Sequence, residues 1–236
     1  MRKILSIIII CCTSSSLFAQ YFYNRSGSET KSFFINLGYG IGFSNWKSKL
    51  ENTALYDQYG LAIKSGNLKF KTKTDLRCYD LNVLVPVADI MLGLGLNFEE
   101  NTMDKIEILN PDPDAGLIIF DQKFRFDKIY ALVEVPFSKE LRSNFSLAAQ
   151  GQFGYYGYSG VDRENFFGVE KMSNTYFAGI GVLASYKVIP HVFVCVHPLF
   201  EYKYFDNNSI EKASKISHNI FSFMAIGSVR IDVSER

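Results

Sequence analysis

Nine ionisable side chains share one phase of a set of alternating segments: Asp80, Glu99, Lys128, Glu134, Lys187, Glu201, Lys203, Arg230 and Asp232. Charges of both signs aimed at a common interior can line an aqueous path, or pair with each other and close it. If the segments form a narrow ring, pairing is expected, because an ionised group left alone away from water costs several kcal/mol. The other chemistry-bearing residues are sparse. Of three histidines, His191 sits at a short turn, His197 shares the charged phase with Glu201, and His218 follows Ser217 near the outer end of the last segment, where outer-leaflet lipid could reach it. A hydroxyl beside an imidazole in sequence is not thereby a nucleophile beside its base, since neighbours on a strand point to opposite faces.

Cys78 and Cys195 also fall in the interior phase. They lie on segments three places apart around a ring, further than a disulfide reaches, so they read as buried free thiols. Three scattered histidines and no Cys-x-x-Cys spacing give no zinc site. The acidic stretch Asn110-Pro111-Asp112-Pro113-Asp114 lacks EF-hand spacing and reads as a rigid loop rather than a calcium site. No catalytic residue, metal ligand or cofactor is assigned. Lys69, Lys71 and Lys73 point to the opposite, outward phase; they read as a solvated strand extension, with contact to lipopolysaccharide phosphates as the alternative.

The elements that must position these groups begin after a targeting segment. Residues 1–19 combine Arg2 and Lys3, an apolar core from Ile4 to Cys12, and an Ala19 cleavage position, the pattern of a secretory signal peptide. The core is too short to span a bilayer, and no later apolar run is long enough to form a transmembrane helix. The formal net charge of +1 removes the electrostatic case for nucleic acid. The 21 Phe and 14 Tyr, against 6 Pro, favour strands.

Eight period-2 segments follow, and in each the large apolar residues occupy one phase. In the first, Phe33, Ile35, Leu37, Tyr39, Ile41 and Phe43 oppose small residues; in the fourth, Ile129, Ala131, Val133 and Val135 oppose Lys128, Tyr130 and Glu134. In the seventh, Val192, Val194, Val196, Phe200 and Tyr202 oppose Cys195, His197, Glu201 and Lys203. Links after the second, fourth and sixth segments are short: Pro86 to Asp89, Ser138 to Arg142, Val188 to His191. Links after the others are long and polar: Ser44 to about Lys73, Glu100 to Asp121, Tyr158 to Ser173, Asp206 to Lys215. Short turns alternating with long loops, with apolar residues outward and polar residues inward, predict an all-β fold: an eight-stranded antiparallel up-and-down transmembrane β-barrel. Hydrocarbon cannot hydrogen-bond a free sheet edge, so the ring must close. Tyr186 near a short turn, and Tyr155, Tyr176, Tyr202 and Tyr204 near long loops, read as two interfacial girdles.

With its Leu17-Phe18-Ala19-Gln20 export junction, its glycine-rich Leu37-Gly38-Tyr39-Gly40-Ile41-Gly42 strand and this connector rhythm, the chain resembles the small eight-stranded outer-membrane barrel proteins abundant in Bacteroidota. The resemblance implies a barrel domain over residues 20–236 in the outer membrane, with both termini periplasmic. Members of that family usually end in an aromatic residue read by the insertion machinery, whereas this chain ends Val233-Ser234-Glu235-Arg236, so Phe221 and Phe223 or an internal signal would take that part. The expected function is non-enzymatic, with a filled polar lumen and with the external loops or the lipid-facing wall as working surfaces. The expected partners are outer-membrane lipid, lipopolysaccharide and another envelope protein, of which the chain would be an accessory subunit. A lipid-modifying enzyme is the alternative. A soluble carrier barrel such as a lipocalin would carry its charges outside, the reverse of the phase of Glu134, Glu201 and Lys203.

Overall fold

Alternating side chains on strands, joined by tight turns, dictate an up-and-down meander, and the computed structural model shows one that closes. It describes residues 33–56, 62–108, 118–137, 144–161, 173–207 and 215–233. The strands are β1 (Phe34–Tyr56), β2 (Ala62–Val87), β3 (Ile90–Ile108), β4 (Ile118–Pro136), β5 (Phe145–Val161), β6 (Ser173–Ile189), β7 (Val192–Asn207) and β8 (Lys215–Asp232). Each pairs antiparallel with its sequence neighbours, and β8 returns to β1 to complete the barrel. The closing ladder is unbroken, from Phe34 opposite Asp232 to Glu51 opposite Lys215. Every backbone donor and acceptor along the seam therefore has a partner, which is what hydrocarbon demands of a spanning sheet.

Two of the short turns rest on left-handed backbone. Ala88, between β2 and β3, has φ 53°, and His191, after Pro190 between β6 and β7, has φ 66°. Such values are disfavoured for a residue with a Cβ, and here the flanking ladders impose them.

The strands run much further than their apolar alternation suggested. Most of the expected first loop is sheet: β1 continues through Trp46 and Lys49 to Tyr56, and β2 begins at Ala62, with Ser44 to Leu50 laddered against Thr74 to Leu68. The expected loop from Glu100 likewise starts as strand, as far as Ile108. The reason is a change of solvent along one strand. On β4, Ile129, Ala131, Val133 and Val135 face outward while Lys128 and Glu134 are buried inside. Toward the start of the strand the pattern inverts: Phe124 and Phe126 are buried inside, and Lys123, Arg125 and Asp127 face outward. β1 inverts in the same way, from Leu37, Tyr39, Ile41 and Phe43 outside to Trp46 inside with Lys47 and Lys49 outside. One barrel thus carries an apolar outer band and, beyond it, a polar-walled extension.

The signal segment 1–19, the Asn110 to Asp114 stretch and the Ser138 to Arg142 turn lie outside the described residues, as do the middles of the long connectors.

Candidate functional site

The lumen is filled in layers. Nearest the short turns, the Arg230 guanidinium of β8 donates two hydrogen bonds to the Glu134 carboxylate of β4, at 3.0 and 2.6 Å, and its Nε donates to Asn36 Oδ1 at 2.8 Å. Asn36 donates to Asn82 at 2.6 Å, and Asn82 donates to Asp80 at 2.8 Å. Asp80 also accepts from Asn97 at 3.0 Å and from the Tyr130 hydroxyl at 2.7 Å. Three neutral donors thus hold a carboxylate that has no ion-pair partner among the described residues.

The middle layer is an ion quartet drawn from β3, β4 and β7. Lys128 pairs with Glu99 and lies 2.6 Å from Glu201; Lys203 lies 2.5 Å from Glu99 and 3.3 Å from Glu201. Each ammonium bridges both carboxylates, so the four formal charges cancel. Asn101 donates to Glu99 at 2.6 Å, and Lys203 donates to Ser222 at 3.1 Å. Lys128 also stands over the Phe177 ring, 5.2 Å from its centroid. Glu99 is 2% exposed and Lys203 0%, so water is not the partner of these charges.

Above the quartet, toward the long connectors, the filling turns aromatic. Trp46 packs on Phe124, Phe126 and Phe205 with ring centroids 5.5, 5.9 and 6.4 Å apart. His218 stacks on Phe205 at 4.1 Å, and its Nδ1 lies 2.6 Å from Ser48 Oγ.

Asp80, Glu99, Lys128, Glu134, Glu201, Lys203 and Arg230 are all buried inside the ring. Two expectations need correction. Lys187 has the interior phase but is exposed, because β6 runs past the start of β5 there: Phe145 pairs with Tyr186, and the Lys187 amide caps Asn144 at 2.7 Å. The residue stands exposed at the short-turn rim of the barrel. His218 is fully buried in the lumen rather than placed toward lipid, because it lies on the polar-walled extension, where the interior phase is the apolar one. Asp232 is half-buried, with its Oδ2 3.3 Å from His191 Nδ1. Cys78 and Cys195 are buried free thiols.

Sequence reasoning overlooked the aromatic storey and the asparagine relay. Trp46 and Phe70 lie in a segment that reads as a loop, and Phe124 and Phe126 lie between the expected Glu100 to Asp121 loop and the fourth segment. Asn36, Asn82 and Asn97 carry no charge to draw attention, although each falls in the interior phase of its segment; Asn101 lies in the expected loop from Glu100. Among the described residues no group of His, Cys, Asp and Glu is placed to hold a metal.

The barrel is similar to solved outer-membrane barrels. It resembles the outer membrane protein OprG from Pseudomonas aeruginosa at 11% identity and a TM-score of 0.52, over 89% of this chain and 99% of that one. It also matches the outer membrane protease OmpT from Escherichia coli at 12% identity and TM-score 0.45, over 85% and 97% of the two chains. Neisserial surface protein A matches at 16% identity and TM-score 0.42, over 84% and 96%. At these identities the likeness concerns the fold, and the OprG superposition is the one that carries it. No protein-family model and no curated protein sequence matches the chain.

Proposed function

We propose that the chain is an integral outer-membrane protein whose lumen is shut and whose work is done by its outer end and its lipid-facing wall. It is neither a pore nor an enzyme in this reading. The observation that carries it is the inversion along β1 and β4, where an apolar outer band gives way to charged outer walls within a single strand. A soluble barrel has no reason to expose Leu37, Ile41, Phe153, Ile180 and Phe200 together, and a bilayer does. The export pattern of residues 1–19 and the barrel fold point the same way. The even strand number puts both termini at the short-turn end, read here as periplasmic, and the Bacteroidota-type kinship rests on the sequence features alone.

The quartet and the Trp46 cluster support the sealed lumen, because no ion can pass without breaking buried pairs. For catalysis the nearest arrangement is Ser48 with His218, and both are buried among aromatic rings. Purified protein in planar bilayers is expected to give no stable ion conductance, and large, stable steps would overturn the sealed reading. Native membranes washed in alkaline carbonate are expected to retain the protein, and its release would overturn the membrane reading. Lipid A mass spectra are expected to be the same with and without the protein. A companion that copurifies in mild detergent would identify the envelope assembly served.

A further inference from the structure

Directly opposed like charges weaken a sheet, so a run of them on one exterior face calls for an external counter-ion. On the outer wall of β1 and β2, Lys47 stands opposite Lys71, and Lys49 opposite Lys69. Lys73 stands opposite Asn45, and Arg77 opposite Ile41. Lys47, Lys49, Lys69, Lys73 and Arg77 are exposed and Lys71 is half-buried. Among the described side chains the acidic neighbours are fewer than these cations: Glu51 pairs with Lys49 at 2.6 Å, Glu107 is opposite Lys71, and Asp75 lies between Lys73 and Arg77. Glu100, opposite Arg77, is engaged with Arg125 at 3.1 Å and Lys123 at 4.0 Å. Among the described residues no ion pair reaches Lys47, Lys69, Lys71, Lys73 or Arg77.

Immediately below this ladder the outer wall carries an open apolar groove. A lipid-facing groove of about 650 Å³ runs over Gly227, between Val194 and Val196 of β7, Leu37 and Tyr39 of β1, and Tyr79 of β2. A methyl group added at Gly227 would meet nothing within 4 Å, so the recess is open to the surroundings. Arg77 is the next outward residue above Tyr79, and Lys73 is the second beyond it. Outward positions on a strand recur about every 7 Å, which sets the ladder as a rising series of cations above an open apolar groove.

We propose that this wall binds a multiply phosphorylated, acylated glycolipid of the outer leaflet, of the lipopolysaccharide type, with one acyl chain over Gly227 and its phosphates on Arg77, Lys73, Lys71 and Lys47. The inference rests on the orientation proposed above, which puts the long-connector end outside. Charge complementarity selects this occupant. A phospholipid offers one phosphate at one height, whereas the ladder offers cations at several successive heights. Ammonium groups serve phosphates as point charges, so no bidentate geometry is required.

The test uses the full-length protein in detergent micelles, with purified lipopolysaccharide as probe and dissociation constants measured at low and physiological salt. The K47Q/K71Q/K73Q variant is expected to bind about tenfold more weakly, each exposed ion pair supplying a fraction of that factor. The wild-type affinity is expected to fall with added salt. The triple arginine variant is expected to bind like wild type, and Gly227→Leu, which fills the groove without crowding the sheet, is expected to bind more weakly. Enzymatically dephosphorylated lipopolysaccharide and phosphatidylglycerol are expected to bind wild type no better than lipopolysaccharide binds the glutamine variant. Unchanged affinity in the glutamine variant or in Gly227→Leu would overturn the assignment, as would equal affinity for phosphatidylglycerol. Folding is read separately from the shift in gel mobility on heating, and orientation from protease access in intact cells. A barrel found inverted in cells would therefore refute the orientation without being mistaken for lost lipid affinity.

Discussion

Arg230 on β8 and Glu134 on β4 come from opposite sides of the eight-strand ring and meet across the lumen through two hydrogen bonds of 3.0 and 2.6 Å. The pair acts as a strut. Its Nε bond to Asn36 on β1 ties it also to the closing seam, since Asn36 is opposite Arg230 in the β1–β8 ladder.

Breaking that strut on one side leaves a bare charge in a buried site. Arg230→Met alone, or Glu134→Leu alone, is therefore expected to lower unfolding stability by about 3 to 5 kcal/mol. The double variant removes both charges and is expected to recover most of that loss. Arg230→Lys should not rescue fully, because a point charge cannot reproduce the two parallel bonds. Urea titration of the protein in lipid, followed by tryptophan fluorescence of the single Trp46, measures all four. A double variant that loses the sum of the two single losses would show that the pair does not bridge.

Gly95 on β3 sits beneath the ring of Tyr130 on β4, its cross-strand partner, and a Cβ at Gly95 would run into that ring. The tyrosine cannot swing aside cheaply, because its hydroxyl is held by Asp80 at 2.7 Å. Gly95→Ala is expected to cost about 1 to 3 kcal/mol, the usual cost of overpacking. In a Tyr130→Leu background the same change is expected to cost much less, since the obstructing ring is gone. Additive losses would place the strain elsewhere.

How far the fold could be read from the sequence is set by where the alternation keeps one sense. From Leu37 to Phe43, large apolar residues alternate against small ones, and from Ile129 to Val135 an apolar outward phase opposes one that carries Lys128 and Glu134 at its ends, so strand phase follows. The interior position of Glu134 and Glu201 followed from that phase alone. From Trp46 to Lys49 the apolar residue is inside and the lysines outside, so the segment has the pattern of a polar loop when strands are expected to turn their apolar residues outward. Lys187 shows the complementary limit: phase tells which way a side chain points, not whether the barrel is still there to enclose it. The aromatic storey was illegible for the same reason as the strand extensions, because Phe124 and Phe126 become lumen residues only once β4 is known to reach them.

Cys78 and Cys195 test whether the lumen is closed to solutes. Cys78 Sγ lies 3.9 Å from Met224 Sδ, and Cys195 Sγ lies 3.3 Å from Ser185 Oγ, both in the buried interior. A thiol must be reached as thiolate to react. A maleimide added to the folded protein in detergent is expected to label neither residue, while the urea-unfolded protein takes up label at both. Rapid labelling of the folded form, resolved by peptide mass mapping, would mean that water and small solutes traverse the barrel.

Ile180 is the most sharply diagnostic residue of the outer wall: on β6, it is 71% exposed, flanked in register by Phe200 and Gly151. On a soluble protein, exchanging so exposed an isoleucine for lysine would cost almost nothing. On a barrel surrounded by acyl chains, Ile180→Lys is expected to cost about 2 to 4 kcal/mol, because an ammonium near the bilayer midplane loses its hydration. Thr102→Lys on β3, outward among the charged walls beyond the apolar band, is expected to cost less than about 1 kcal/mol. The contrast between the two positions, measured by urea unfolding in phospholipid vesicles, separates depth in a membrane from mere exposure. If the two variants proved equally stable in vesicles, the apolar band would not be a lipid-facing wall, and the cation ladder above it would lose its place at the membrane surface.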